Sequence, residues 1–176
     1  MSAASVAVPE IETARLRLRA HRAEDHATCT AIWSNAEVIR HIGGRAFTAE
    51  ESWKRLLQYR GMWQLVGYGY WALEEKDSGR YIGDVGFADL RRELQPSLQG
   101  MLECGWVLSP QAHGKGYASE AVSAILGWAE STLPDLRVVC IIAPENQPSI
   151  RVAEKAGFHL WQTSTYHDSP TLVFRR

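Results

Sequence analysis

Ala118, Ala121, Val122, Ile125, Ala129 and Leu133 recur at steps of three and four residues, which predicts a helix with one apolar stripe turned to a core. An apolar strand, Met101 to Leu108, precedes it, and the glycine-rich segment Gln111 to Gly116 joins the two after a Ser109-Pro110 break. Upstream, Thr13 to Ala20 alternates Leu16, Leu18 and Ala20 with Arg15, Arg17 and Arg19. Period two predicts a half-buried strand with its arginines in solvent. Arg22 to Trp33 reads as a short helix, and a linker follows through Gly43-Gly44. Thr48 with Glu51 three residues later is a capping box, so a second helix starts there, turns Trp53, Leu56, Leu57 and Tyr59 inward, and ends at Gly61 or Gly67. Tyr68 to Glu75 and Tyr81 to Leu90 are strand-like and meet at an Asp-Ser-Gly turn, a hairpin signal.

Beyond the apolar helix, Pro134 forces a break, and Leu136 to Ala143 is a continuous β-branched run suited to a buried strand. Asn146 is a good N-cap for a further helix, with Pro148 in its first turn and Gly157 as its stop. Phe158 to Tyr166 and Thr171 to Arg176 close the chain as strands. The order predicts an α/β fold, with residues up to Pro9 as a loose tail and 10–176 as one domain around a mixed, mostly antiparallel sheet of about seven strands and about four helices.

A length of 176 residues, 45% hydrophobic and 22% charged, describes a globular protein that can bury a substantial core. A net charge of −1 offers no reason to expect nucleic acid or an anionic membrane as partner. Cys29, Cys104 and Cys140 are odd in number and widely spaced, which suggests neither a disulfide framework nor a zinc site and points to a reducing cytoplasm. The six histidines have no metal-binding spacing, and no metal is expected.

Strand, glycine turn and helix N-terminus together suit an anion. The first helical turn has unpaired N–H groups and partial positive charge, and glycines let a phosphate approach the backbone. Lys115 adds a formal charge. A Walker A loop would need Ser or Thr after the lysine, where Gly116 stands, and a dinucleotide fingerprint would need a third glycine, where Ser119 stands. What remains is Gln111-x-x-Gly114-x-Gly116. This turn resembles the pyrophosphate-binding signature of the GNAT superfamily of N-acetyltransferases. Asn146, Ser149, Val152, Gly157 and Phe158 fall where that family's second motif lies, and the similarity is strongest to its ribosomal-protein alanine acetyltransferase (RimJ/RimL-like) branch.

The resemblance implies a sheet splayed between the family's fourth and fifth strands, with acetyl-CoA as cosubstrate. It places the pyrophosphate at the backbone of Gln111 to Gly116, which includes His113, Gly114 and Lys115, with Tyr117 and Ala118 also at the cofactor, and the pantetheine arm beside Trp106, Val107 and Leu108, with Asn146 and Ser149 as further contacts. A strand N–H near Trp106 or Val107 is the implied oxyanion donor. The catalytic candidates are Glu103, as general base on the central strand, and Ser149, as proton donor to the thiolate. Ala153 stands where one branch carries a tyrosine, which leaves Tyr117 and Tyr166 as weaker donors. The competing reading of Glu103 is an ion pair with an arginine of a neighbouring strand, and that of Ser149 is ordinary capping. Cys104 next to Glu103 invites an acetyl-cysteine route, but alternation turns it to the opposite face. The implied acceptor is a protein N-terminus or a small-molecule amine, and a homodimer is compatible with the family. A non-catalytic acyl-CoA sensor is the alternative function.

Overall fold

The computed structural model describes residues 6–176. Eight strands, β1 (Ile11–Glu12), β2 (Leu16–Arg19), β3 (Tyr70–Glu75), β4 (Arg80–Ala88), β5 (Leu102–Leu108), β6 (Val138–Ile142), β7 (His159–Tyr166) and β8 (Ser169–Arg175), form one sheet in the order β1-β2-β3-β4-β5-β6-β8-β7. The helices are α1 (His26–Ser34), α2 (Ala36–Ile39), α3 (Ala49–Val66), α4 (Tyr117–Thr132) and α5 (Gln147–Lys155). Every strand pair is antiparallel except β5–β6. The sheet is mixed and mostly antiparallel as expected, with one strand and one helix more than the pattern suggested. The additions are the two-residue β1 and the four-residue α2, both too short to show a period.

One face of the sheet packs Leu16, Leu18, Trp71, Leu73, Val85, Phe87, Leu102 and Cys104 against Ala121, Val122, Ile125 and Ala129 of α4. The other face packs Ala72 and Tyr81 against Cys29, Ile32 and Trp33 of α1 and Leu56 and Tyr59 of α3. Each large apolar side chain so buried contributes about 1.5–3 kcal/mol. The tail expected up to Pro9 is tied down from Val6 on. Val6 N donates to Gln64 Oε1 (3.0 Å), and Trp71 Nε1 donates to the Pro9 carbonyl (2.7 Å). Its first five residues lie outside the described ones.

The helix α3 begins as its capping box predicts: Thr48 Oγ1 accepts from Glu51 N (3.2 Å) and Glu51 Oε2 accepts from Thr48 N (2.9 Å). It ends at Gly67, whose φ of 81° is left-handed. Its inward face differs from the expected one. Ser52, Leu56, Tyr59 and Trp63 are buried, while Trp53 and Leu57 are exposed. Ser52 touches Thr30 of α1 (2.5 Å), and that close helix approach needs a small side chain where a tryptophan would not fit. Trp33, Trp53, Trp63 and Trp71 lie in different surroundings. Trp63 and Trp71 join Trp128 of α4 in an edge-to-face cluster (4.6–5.6 Å), Trp53 lies edge-on to His26, and Trp33 of α1 stacks on Phe47 (5.0 Å).

Arg19 is the second correction. It is not solvated but 4% exposed, and its guanidinium bonds Asp25 through two nitrogens (2.8 and 2.9 Å) and Glu74 through Nε (2.6 Å). A buried guanidinium demands anionic partners. Asp25, in a 3₁₀ turn just before α1, and Glu74 of β3 supply them, so the pair fastens α1 to the sheet.

Candidate active site

Strands β5 and β6 pair only at Leu102–Val138 and Glu103–Val139, while β6 stays paired with β8 through Ile142. From Cys104 onward the two strands diverge. Leu102 N donates across to Arg137 O (2.8 Å), and Ser109 N donates the other way to Ile82 O (2.8 Å). Strand alternation therefore turns the backbone groups of Cys104, Trp106 and Leu108 into the gap and those of Gly105 and Val107 toward β4. Strand groups in such a gap call for a partner that can pair with them.

Because β5 and β6 are parallel, both end at the same end of the sheet. The first continues into Gln111–Gly116 and α4, the second into Asn146–Ser149 and α5. Gly114 (φ 73°) and Gly116 (φ 79°) are left-handed, a conformation costly for any residue with a Cβ. No side chain caps α4, so its first-turn N–H groups are open to an anion. His113 Nε2 donates to the Leu108 carbonyl at the mouth of the gap (2.9 Å), and Ser109 Oγ hydrogen-bonds Gln111 Oε1. Arg15 holds the turn from outside, with Nη1 on the Lys115 carbonyl (2.8 Å) and its ion pair on Glu120 (2.7 Å). Tyr117 donates to Glu75 (2.7 Å), and the bond from Ser78 together with this one holds the Glu75 carboxyl below the usual range. A cleft of about 600 Å³ adjoins the turn, with Ser109, Gln111 and Lys115 on one wall and Arg19, Arg22 and Tyr81 on the other. In α5, Asn146 Oδ1 accepts from Ser149 N (3.3 Å), and the Ser149 side chain is half-buried.

Glu103, 7% exposed, is clasped by Arg92 from the loop between β4 and β5. Nε contacts both carboxylate oxygens (3.0 and 2.8 Å), and Nη2 donates to Oε1 (2.7 Å). Arg92 Nη1 donates to Tyr166 Oη (3.1 Å). Burial opposes the charge of Arg92, and the carboxylate more than restores it, so its pKa is raised. The arginine partner is thus real, although it comes from a loop instead of a neighbouring strand. Tyr166 engages this pair and Tyr117 engages Glu75, so both tyrosines already serve other groups.

Beside Glu103 lies an arrangement with no sequence motif. Tyr70 lies flat across two glycines: a Cβ on Gly86 would fall 2.8 Å from its ring, and one on Gly105 would fall 2.1 Å from its hydroxyl. The phenol therefore stands over β5, one register step from Glu103, and burial followed by the Glu103 charge pushes its pKa up. Tyr59 stacks on Tyr70 (4.7 Å) and His21 stacks on Tyr59 (4.7 Å). Asp84 of β4, fully buried, accepts from His21 Nε2 and Tyr81 Oη (both 2.7 Å). Cys104 sits on the opposite face in the α4 core, where burial pushes its thiol up. Gly86 and Gly105, mid-strand and therefore unusual, were the one signal in the sequence for the Tyr70 platform. Nothing local pointed to Arg92.

A splayed parallel pair with an uncapped, glycine-entered helix at its mouth is the geometry of one acyl-transfer fold, and the family model for the acetyltransferase (GNAT) domain matches residues 15–159. The chain belongs to this family. It is an acetyltransferase, and the family uses acetyl-CoA. An uncharacterised N-acetyltransferase of Bacillus subtilis, YoaA, is 27% identical over 170 residues, covering 92% of this chain and 93% of that one. A GNAT-family acetyltransferase structure from Bordetella pertussis is 28% identical with a TM-score of 0.84, covering 96% and 99%. A ribosomal-protein α-N-acetyltransferase, RimL, solved with coenzyme A, shares the fold at 17% identity and a TM-score of 0.76, covering 96% and 97%. Among the described residues no helix is long and apolar enough to cross a membrane.

Proposed function

We propose that this chain transfers acetyl directly from acetyl-CoA to a primary amine within a ternary complex. The observation that carries the reading is the β5–β6 gap, which opens onto the α4 N-terminus at one end and onto Tyr70 and the Glu103–Arg92 pair at its side. In this reading the pyrophosphate lies on Gln111 to Ala118, with Lys115 as a cation. The pantetheine amides pair with the gap-facing groups of Trp106 and Leu108, Val107 packs beside them, and Asn146 and Ser149 line the far wall. The Trp106 N–H serves the oxyanion, since alternation directs it into the gap. Glu103 takes the ammonium proton, directly or through water, and Ser149 returns one to the leaving thiolate. Direct transfer is supported by Cys104, whose thiol is buried on the wrong face to relay an acyl group.

The test is thiol release from acetyl-CoA across a panel of amino acids, peptides, polyamines and aminoglycosides. Release with one class supports the reading. Tight acetyl-CoA binding with no release for any amine would instead mark an acyl-CoA sensor.

Gly114→Val and Gly116→Val should each weaken acetyl-CoA binding roughly tenfold or more, measured by calorimetry. Space around Gly114 is open, since a Cβ there would meet nothing within 4 Å. The loss would come from left-handed strain and from a side chain standing where the phosphates approach. Unchanged affinity in both variants would remove the pyrophosphate from this turn. Ser149→Ala should lower kcat about tenfold or more while acetyl-CoA affinity is preserved. If Tyr70→Phe or Tyr166→Phe is the more damaging change, the proton comes from that phenol.

A further inference from the structure

Arg55 of α3 is a guanidinium without a counter-ion. Its Cζ lies 4.1 Å from the ring centre of Trp33 and 4.8 Å from that of Phe47. Among the described residues it pairs with no carboxylate, and its Nε is buried without a hydrogen-bond partner. The indole Nε1 of Trp33, a residue only 5% exposed, is also buried and unpartnered. Two other arginines on this face differ. Arg19 is neutralised by Asp25 and Glu74, and Arg92 by Glu103. Aromatic faces hold a cation in place but give its N–H groups nothing to bond. Two neighbouring donors with no acceptor form half of an anion site.

This half-site adjoins the reaction centre. Tyr59, which packs in the same aromatic cluster as Trp33, stacks on Tyr70. The Arg55 Cζ lies 5.9 Å from the ring centre of Tyr59, so a single ring links this guanidinium to Tyr70. The Tyr70 platform thus has the neutralised Arg92 beside the neighbouring Glu103 and the unpaired Arg55 one ring away.

Resting on the acetyl-transfer reading above, we infer that the acceptor is an amine that also carries a carboxylate, which Arg55 and the Trp33 indole N–H bind while the amino group lies over Tyr70. A free amino acid is the simplest such molecule; a peptide with an acidic N-terminal residue offers the same chemistry. A polyamine or aminoglycoside would bring further cations to a face already carrying an unpaired one.

The experiment compares kcat/KM for the standard L-amino acids, their carboxamides and a peptide beginning with glutamate, in wild type, Arg55→Gln and Arg55→Lys. The best free acid should be used about 10–100-fold better than its own amide. That ratio should fall toward one in Arg55→Gln and partway in Arg55→Lys, with acetyl-CoA affinity unchanged. If the peptide outperforms every free acid, the carboxylate belongs to a side chain and the inference stands. An amide used as well as its acid, or a ratio that survives in Arg55→Gln, overturns it. Should Arg55→Gln fail to fold, the wild-type ratio and its reduction in Arg55→Lys decide. A readout free of turnover separates this inference from the acetyl-transfer reading. In the coenzyme A complex, millimolar free acids should shift the Trp33 indole N–H resonance and amides should not. No thiol release together with that shift refutes only the enzyme, whereas no shift with any free acid refutes the carboxylate site.

Discussion

Glu103→Gln should lower kcat/KM for the amine by about 10²–10⁴-fold at neutral pH while leaving acetyl-CoA binding nearly intact. Glutamine preserves size and one acceptor oxygen but cannot take the ammonium proton. An amine of high pKa is mostly protonated at neutral pH, so the loss should shrink as pH rises and more of the amine is already neutral. The Arg92 clasp sharpens this test. Three short contacts occupy the carboxylate, yet an ionised carboxylate has about four lone-pair sites, which leaves room for a water or the amine. The amide would also deprive Arg92 of its anion, at a cost of about 1–2 kcal/mol in stability. If the pair is purely an anchor for the loop before β5, Glu103→Gln and Arg92→Met should lower activity and stability together, with no dependence of the loss on pH. A pH-independent loss shared by both variants would remove Glu103 from proton transfer.

What could be read in the sequence was what is encoded within a few residues. Thr48 and Glu51 cap α3 through each other, Gly67 stops it, and Asn146 caps α5, because each device closes over three or four positions. The Gln111–Gly116 turn is equally local, since the role proposed for it rests on its own backbone. The rest depends on partners far along the chain. Arg19 alternates like its neighbours Arg15 and Arg17, and only the arrival of Glu74 and Asp25 beside it makes burial tolerable. Trp53 and Leu57 outrank Ser52 in hydrophobicity, yet the close approach of α1 selects the stripe containing the serine. Glu103 meets Arg92 across a loop with no periodic pattern. Tyr70 reaches Gly105 only because β4 lies between them and offers Gly86 in register. Much of the candidate site is built from such distant pairings, which is why the glycine turn was legible in the sequence and the surroundings of Glu103 and Tyr70 were not.

Arg19→Met should destabilise the protein by about 3–5 kcal/mol at neutral pH, because it leaves the carboxylates of Asp25 and Glu74 buried without their cation. That is a large share of the ~5–15 kcal/mol typical of a domain. The pH dependence should reverse as well. In the wild type, burial raises the Asp25 pKa, but Arg19 and the Arg22 N–H (2.8 Å) outweigh it, and the net shift is downward. A carboxyl with a depressed folded-state pKa contributes stability above its unfolded pKa of about 3.9, and loses it as pH falls through the folded value. Without Arg19, burial is the larger influence and the folded-state pKa rises above the unfolded one. Asp25 then favours the folded state only when protonated, and the variant loses stability as pH rises through that raised value. Urea midpoints measured from pH 4 to pH 7 should therefore fall for Arg19→Met over a range in which the wild type holds steady or gains. Parallel curves for the two proteins would show that Arg19 does not set the ionisation of Asp25. Since Asp25 immediately precedes α1, the same variant should loosen the helix that carries Trp33. Its loss of activity toward the amine should then exceed any loss of acetyl-CoA affinity.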